Sequence, residues 1–148
     1  MHLAANIGDA KINVTQGQHD FQTRVVLDSN TTVDIASGAT LEFNHRLNLG
    51  GSTLTKVGAG SLLVNNNVTT GGGTIIGTSG VIGGGGVVSD DLTNLSATVA
   101  PGNSPGILSV SGNYTQGGLA SILHQAATLV KLPGKFPSRR RSSCVPSG

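Results

Sequence analysis

Short apolar runs recur along this chain in pairs, and each pair is joined by a turn of small residues that ends in glycine. The four copies read VDIASGATLEF (33–43), LTKVGAGSLLV (54–64), TIIGTSGVIGG (74–84) and TVAPGNSPGILSV (98–110). Their turn-closing glycines, Gly38, Gly60, Gly80 and Gly106, are separated by 22, 20 and 26 residues. A period of this length, built only of strands and turns, predicts a parallel β-helix, or β-solenoid. A right-handed coil is the expected hand for parallel crossovers.

The composition supports a narrow core. The 148 residues include 23 glycines, and only 3% are aromatic. Val, Ile, Leu, Thr, Asn, Ser and Gly are typical of short strands and turns, and they bury enough apolar area only when each unit covers its neighbour. Two-residue Asn-Gly or Asp-Gly hairpin turns are absent from the sequence, which disfavours an antiparallel sandwich.

The repeat predicts which residues face inward. In the stretch 98–116, Pro101 and Pro105 remove backbone donors, so we expect a strand to stop near Val99 and another to begin after Gly106. A row of threonines is expected to stack on the outside or at corners: Thr32, Thr53, Thr74 and Thr98. The predicted interior comprises Ile35, Leu41, Phe43, Leu54, Leu62, Val64, Ile75, Val99, Leu108 and Val110.

Three regions follow from these patterns. Residues 1–20 are a weakly structured lead-in with one strand near Ile12–Val14, and residues 21–118 are the repeat region. Within it, the glycines of 83–86 mark a corner or a loose excursion, and Asp90, Asp91 and Asn94 belong to a polar insertion that accounts for the longest interval.

Residues 119–148 change in character. Apolar residues fall at helical spacing from Leu119 to Val130, which predicts a short helix that caps the last coil or forms a loosely held tail. A disordered tail rich in Pro, Ser and Arg follows. Such a change of composition beyond about Gly118 is also typical of a truncated or shifted reading frame.

Charge is divided unevenly along the chain. All seven acidic residues but only four of the nine basic ones precede Lys131. The pI near 9.0 therefore belongs to the tail, and Arg139–Arg141 without interleaved aromatic residues predict no nucleic-acid binding. The single cysteine, Cys144, excludes an internal disulfide framework and a Cys-based zinc site. No apolar window is long enough to span a membrane, and the opening residues lack the pattern of a signal peptide.

The residue types that carry chemistry are scattered. Asp90 and Asp91 are the only adjacent acidic pair, and they are expected to be solvated turn residues rather than a catalytic pair. Asp28, Asp34 and Glu42 stand apart in the sequence. The histidines His2, His19, His45 and His124 share no metal-ligand spacing, and no phosphate-binding glycine motif occurs. Catalytic, cofactor-binding and metal-binding residues are therefore expected to be absent. Five Asn-x-Ser/Thr triplets, at Asn13, Asn30, Asn67, Asn94 and Asn113, are expected to arise by chance.

Two segments resemble a known family. TLTKVGAGSLLVNN (53–66) is similar to the autotransporter-associated β-strand repeat of bacteria, and VAPGNSPGILSVSGNYTQ (99–116) is similar to the segment that follows such repeats. The resemblance covers about residues 21–118. It implies a right-handed parallel β-helix that is displayed at, or released from, the cell surface and acts in adhesion or as a stalk.

The leading hypothesis is therefore a non-enzymatic structural or adhesive module of an exported bacterial surface protein. Its expected partners are cell-surface or matrix components, or polysaccharide. A carbohydrate-active or carbohydrate-binding β-helix is the alternative, although it would need clustered charged residues or an aromatic sugar platform. A third hypothesis is a non-functional remnant of a larger gene.

Overall fold

The computed structural model describes residues 1–69, 71–89, 91–102, 107–122 and 129–131. In these residues every regular element is a β-strand of two to five residues. In the longer strands apolar and polar side chains alternate, and turns rich in glycine, serine and asparagine separate them. The strands are β1 His2–Leu3, β2 Ala10–Val14, β3 Gln18–Phe21, β4 Val25–Leu27, β5 Thr31–Ile35, β6 Thr40–Phe43, β7 Leu47–Asn48, β8 Thr53–Val57, β9 Ser61–Val64, β10 Asn67–Thr69, β11 Thr74–Gly77, β12 Val81–Gly84, β13 Val87–Val88, β14 Asp91–Asn94, β15 Thr98–Pro101, β16 Ile107–Val110, β17 Tyr114–Gln116, β18 Ser121–Ile122 and β19 Leu129–Lys131.

The strands wind into a β-solenoid with three parallel sheets. Successive strands enter the sheets in rotation, so that every third strand pairs with its counterpart one turn later. Sheet A has the order β1-β4-β7-β10-β13-β16-β19, sheet B runs from β2 through β5, β8, β11 and β14 to β17, and sheet C runs from β3 through β6, β9, β12 and β15 to β18. The prediction of a parallel β-solenoid is confirmed.

A single apolar column fills the space between the sheets. All ten residues predicted to face inward are at most 2% exposed, which confirms the alternation on which they were chosen. Leu47, Leu49, Val68, Val88 and Leu92 add to the same column. Each turn therefore covers the apolar face of the next, and the core is long and narrow rather than central.

The lead-in expected at residues 1–20 is part of the solenoid instead. β1, β2 and β3 pair in parallel with β4, β5 and β6. The sequence signal is weak there because β3, with the sequence QHDF, carries one apolar residue and its outward positions are polar.

The fourth predicted copy, residues 98–110, does not occupy the same pair of sheets as the first three. The first three copies span sheets B and C, but residues 98–110 contribute β15 to sheet C and β16 to sheet A. The true fourth copy is 91–101, which contains β14 and β15, and Ala97 is the residue just before β15. The interval to this copy is short, because Asp91 lies opposite Thr74 and follows it by only 17 residues. The chain is thus shorter here than elsewhere, and Asp91–Asn94 is a strand rather than a polar insertion. Gly106 and Asp90 lie outside the described residues.

The strand expected to stop near Val99 continues to Pro101, the last residue of β15.

The glycines of 83–86 are no loose excursion, because Gly83 and Gly84 end β12 in register with Ala100 and Pro101. The expected threonine row is only partly correct. Thr53 lies opposite Thr74, but Thr32 lies opposite Thr55 and Thr98 belongs to sheet C.

The helix expected from Leu119 to Val130 is wrong wherever that stretch is described. Ser121–Ile122 pairs with Thr98–Val99, and Leu129–Lys131 pairs with Ile107–Ser109. β15 and β16 on the previous turn offer parallel edges, and pairing with these edges overrides the helical spacing of the apolar residues. Residues 123–128 and the predicted disordered tail from 132 onward lie outside the described residues.

Candidate functional site

A buried lysine lies in the interior of sheet B. Alternation along β8 turns Leu54 and Lys56 inward, and Lys56 lies between Val33 on one side and Gly77 on the other. Its side chain is completely buried. The ammonium Nζ donates hydrogen bonds to the carbonyl oxygens of Val57, at 3.0 Å, and Gly58, at 2.7 Å. The lysine thus holds the turn that connects β8 to β9.

Gly80 lies next to the Lys56 ammonium group, where a larger residue would collide with it. A Cβ atom on Gly80 would lie 2.6 Å from the Lys56 Nζ and still closer to the carbonyl oxygens of Gly58 and Gly60. Gly58 has a φ of 80°, in the left-handed region, and a Cβ there would overlap the carbonyl oxygen of Ile35. The glycines of these turns are therefore fixed by close stacking of one turn on another.

Burial sets the electrostatics of the lysine. Loss of water around the ammonium lowers the pKa of Lys56 from 10.5 to about 8, and the nearby Asp34 carboxylate opposes this effect only in part. The two carbonyl oxygens are acceptors without charge, so they stabilise the ammonium without neutralising it. The arrangement supports a structural role in the turn.

A second polar cluster lies two strands beyond Lys56 along the same inward row of sheet B. Asn94 is fully buried opposite Gly77, and its Oδ1 accepts a hydrogen bond of 2.9 Å from the backbone N–H of Ala97. Its Nδ2 donates to the Tyr114 hydroxyl at 3.2 Å and to the carbonyl oxygen of Ser121 at 3.3 Å. Asn94, on β14, therefore connects to Tyr114 on β17, the next strand of sheet B, and to Ser121 on β18 of sheet C.

Tyr114 and Gln116 extend this cluster. The Tyr114 hydroxyl donates to Gln116 Oε1 at 3.3 Å, and Gln116 Nε2 donates to the carbonyl oxygen of Ala120 at 3.0 Å. Burial raises the pKa of the Tyr114 hydroxyl, although the hydrogen bond with Asn94 works in the opposite direction. The phenol therefore remains neutral across the physiological range.

The outer faces of sheets B and C each carry a row of five residues, four of which bear a hydroxyl group. On sheet B an outward row is in register across five strands, and we call it the sheet B row: Thr32, Thr55, Ile76, Thr93 and Thr115. On sheet C a second outward row, the sheet C row, comprises Thr40, Ser61, Val81, Thr98 and Ser121. Adjacent members of a row lie about 4.8 Å apart, which is the spacing of hydrogen-bonded strands.

A cluster of polar side chains surrounds two carboxylates on the outer face of sheet C. Asp20 and Glu42 lie directly opposite each other on β3 and β6. Amide side chains surround the pair, because Gln22 and Asn44 donate to Asp20 while Gln18 and Asn65 donate to Glu42. We call these six residues the amide–carboxylate cluster. The donors offset the repulsion that two like charges in a direct cross-strand pair would cause.

The carboxylates considered from sequence do not meet. Asp28 follows β4 of sheet A, Asp34 lies on β5 of sheet B and Glu42 lies on β6 of sheet C, so they occupy three different faces. Asp91 Oδ1 accepts a hydrogen bond of 2.9 Å from the backbone N–H of Asn113, which is a structural contact.

The described histidines are separate as well. His2 Nδ1 lies 2.8 Å from Asp28 Oδ2 in an exposed pair. His19 Nε2 lies 3.0 Å from the carbonyl oxygen of Gln16, and His45 Nδ1 accepts from the backbone N–H of Arg46 at 2.9 Å. Within the described residues no group of three or more His, Cys, Asp or Glu side chains is placed to hold a metal ion. His124, Cys144 and Arg139–Arg141 lie outside the described residues.

The five Asn-x-Ser/Thr triplets differ in accessibility. Asn94 is fully buried and has hydrogen-bond partners on both side-chain atoms, so an oligosaccharide there is incompatible with the fold. The other four asparagines, Asn13, Asn30, Asn67 and Asn113, are exposed.

Sequence reasoning missed the interior roles of Lys56 and Asn94. A signal was present for both, because each occupies an inward position of the strand alternation, two residues after a buried leucine. A polar residue at such a position predicts an internal hydrogen-bonding group.

No helix in the described part of the chain has the length and apolar character needed to cross a membrane. Comparisons with protein-family models, with curated proteins and with solved structures return no match for this chain.

Proposed function

We propose that the chain is a non-enzymatic structural and adhesive β-helical module of an exported bacterial surface protein. The observation that carries the proposal is the pair of outward hydroxyl rows on sheets B and C, which run across successive turns above a continuous apolar column. The resemblance of residues 53–66 and 99–116 to passenger repeats supports the exported location.

The outward rows favour a partner that binds along several turns of the solenoid rather than at a single site. Each row carries a hydroxyl side chain on four of its five strands, at the strand spacing of about 4.8 Å, and is interrupted once by an aliphatic residue, Ile76 or Val81. A partner therefore meets hydroxyl groups on both sides of an apolar position. Weak hydrogen bonds from several rungs add when they are held on one rigid frame. An extended or repetitive partner, such as a polysaccharide or a matrix protein fibre, matches this arrangement.

The test is adhesion of beads that carry the chain to surfaces coated with polysaccharides or with matrix proteins. The triple variant Thr32→Glu, Thr55→Glu and Thr93→Glu replaces the hydroxyls of the sheet B row with carboxylates on its exposed side. We expect adhesion to fall about tenfold or more, since several weak contacts are lost together.

The triple variant Asn48→Glu, Asn67→Glu and Ser109→Glu adds the same charge on the outward side of sheet A. It is the matched control and should retain adhesion. Beads that bind none of the surfaces, although the protein on them is folded, would refute the adhesive role. Equal loss of adhesion in the control would attribute the effect to charge alone.

A second candidate function, carbohydrate binding, is favoured by the amide–carboxylate cluster. Carboxylate and amide groups that lie side by side are suitable partners for sugar hydroxyls, although no aromatic platform accompanies them here. Titration with oligosaccharides of defined composition tests this function. Glu42→Gln should weaken binding at this cluster, whereas Asp34→Asn on sheet B should not, and equal affinities for both variants would exclude the cluster as a sugar site.

A further inference from the structure

Two successive turns of the solenoid carry the same polar pattern at the corner between sheets C and A. The segments are DFQTR (20–24) and EFNHR (42–46), and both read acidic residue, phenylalanine, amide, one further residue and arginine. The rings of Phe21 and Phe43 stack inside the coil with their centroids 5.2 Å apart. The pattern therefore places like residues next to each other on adjacent turns.

The register of the two arginines follows from the strands on either side of this corner. Three residues connect the strand of sheet C to the strand of sheet A on both turns, because β3 and β6 end at the stacked phenylalanines and β4 and β7 begin at Val25 and Leu47. Val25 lies opposite Leu47, and its N–H donates to the carbonyl oxygen of Arg46 at 3.0 Å. Since the two corners have equal length, Arg24 stacks on Arg46 at about the 4.8 Å spacing of paired strands.

Among the described residues, these two arginines have no acidic partner. Both side chains are exposed, and the one ion pair in that part of the chain joins His2 to Asp28. The carboxylates of the same pattern, Asp20 and Glu42, are instead held by the amide donors of the amide–carboxylate cluster. Like charges on directly opposite residues are destabilising. An anion bound between the two guanidinium groups would remove this repulsion.

The neighbouring side chains of the corner are hydrogen-bond donors as well. His45 Nδ1 accepts the backbone N–H of Arg46 at 2.9 Å, so the neutral ring carries its proton on Nε2. Thr23 has the equivalent position on the preceding turn, and its hydroxyl group can donate too. Both side chains are exposed. The corner therefore combines two cations with neutral donors and contains no carboxylate of its own.

We propose that Arg24 and Arg46 form a binding site for a tetrahedral oxyanion, the sulfate or phosphate group of a monoester. A guanidinium group presents paired N–H donors in a planar fork, and one fork satisfies both oxygens of a carboxylate. A sulfate or phosphate monoester has three unsubstituted oxygens, so it accepts hydrogen bonds from two guanidinium groups at once. Two arginines on adjacent turns therefore match this anion better than they match a carboxylate.

The surroundings of the site restrict the molecule that carries this group. Asp20 and Glu42 precede the arginines by four residues on both turns and lie on the adjoining outer face of sheet C. Their charge repels a polyanion that extends over that face, whereas a single ester group on a neutral sugar avoids the repulsion. The site lies between consecutive turns of the chain and is independent of the adhesive role of the hydroxyl rows.

The first test is titration of the 148-residue chain with sodium sulfate, sodium phosphate and sodium acetate at constant ionic strength, followed by the NMR signals of the arginine Nε–H groups. The Arg24 and Arg46 signals should shift to saturation with sulfate or phosphate, at concentrations about tenfold lower than with acetate. Equal responses to all three anions, or shifts that do not saturate, would show a general ionic effect and overturn the proposal.

The same titration with glucose 6-sulfate and glucose 6-phosphate distinguishes the two sources of the group. The ester that shifts both arginine signals to saturation identifies the chemistry of the natural ligand. Binding of the inorganic ions but of neither ester would contradict a monoester site.

The second test separates the geometry of the guanidinium groups from their charge. Arg46→Lys keeps the charge but lacks the fork, so the preference for sulfate over acetate should disappear. Arg46→Gln should raise the dissociation constant for sulfate about tenfold or more, because a charge-assisted contact is lost. Lys11→Gln is the matched control, since it removes one exposed charge from sheet B, and it should leave the affinity unchanged. Equal weakening in Lys11→Gln and Arg46→Gln, or full selectivity in Arg46→Lys, would refute the paired-arginine site.

Discussion

The ammonium nitrogen of Lys56 lies 2.7 Å from the carbonyl oxygen of Gly58, two residues along the chain and inside the coil. A charged group thus stabilises a turn from within, at a position where the neighbouring turns place Val33 and Gly77. Because the lysine is buried, the state of its proton is linked to the stability of the whole fold.

Stability should rise with pH between about 8 and 9.5. The pKa of Lys56 is lowered from 10.5 to about 8 in the folded protein, so the unfolded chain binds more protons in this interval and deprotonation favours folding. The gain over this interval is about 2 kcal/mol, at about 1.4 kcal/mol per pH unit. Urea denaturation at pH 7.5, 8.5 and 9.5 measures it.

Lys56→Met is the control for that experiment, since it lacks the titrating group and should show no such rise. The interval ends below pH 10 because Tyr114 titrates above it. The pKa of Tyr114 is raised in the folded protein, so the unfolded chain loses this proton first, and stability falls as the pH rises above the ordinary tyrosine pKa of 10.0. A rise of equal size in wild type and Lys56→Met would assign the effect to other groups.

Gly84→Ala should unfold the protein or lower the free energy of unfolding by about 3 kcal/mol or more. Gly84 has a φ of 110°, and an added Cβ would overlap the backbone of Val64 on the neighbouring turn. Gly118→Ala is the matched control, because its Cβ would meet nothing within 4 Å, and it should change stability by about 0.5 kcal/mol or less. Thermal melts followed by circular dichroism compare the two. Similar melting temperatures would contradict the close stacking at Gly84.

Asn94→Ala should cost about 2 to 4 kcal/mol, because it removes the acceptor for the N–H of Ala97 and the donor to Tyr114 and Ser121. Asn113→Ala, at an exposed asparagine, should cost much less. Hydrogen exchange should also show faster opening of residues 114–122 in the Asn94 variant, since these residues depend on its side chain. Unchanged exchange there would show that Asn94 does not join the strands.

Leu62→Asp should prevent folding, because the side chain is fully buried and an unpaired carboxylate would enter the apolar column. Leu63→Lys tests the alternation directly, since Leu63 points outward from the same strand, is only half-buried and lies opposite Glu42, so that a cation there creates no like-charge pair. Far-UV circular dichroism should show the native β spectrum for Leu63→Lys alone. A folded Leu62→Asp protein would contradict the interior assignment.

The inward residues could be predicted from the sequence because successive side chains of a strand point to opposite faces. Apolar residues at every second position therefore mark the buried face. The inward positions of Leu54, Leu62 and Ile75 required no knowledge of the neighbouring turns. Register between turns could not be obtained in that way. Gly106 resembled Gly80 as a turn glycine, but the chain between β11 and β14 is shorter, and Ala97 rather than a glycine occupies the equivalent position.

The helical spacing after Gly118 was misleading for a related reason. Ser121–Ile122 and Leu129–Lys131 are strands because parallel edges are already present on the previous turn. A single sequence does not reveal an edge formed by residues about 22 positions earlier. The amide–carboxylate cluster was hidden in the same way, since Asp20, Glu42 and Asn65 lie far apart in the sequence and meet only through stacking.

Because consecutive turns pair in parallel and in register, insertion or deletion of one repeat would lengthen or shorten the solenoid by one whole turn. Thr53 lies opposite Thr74, so removal of residues 53–73 would join Ser52 to Thr74 and give β11 the place of β8 beside β5. Unequal recombination between such repeats would lengthen or shorten the rod by about 4.8 Å at a time while its cross-section stays the same. The reach of such a rod can therefore evolve separately from the chemistry of its faces.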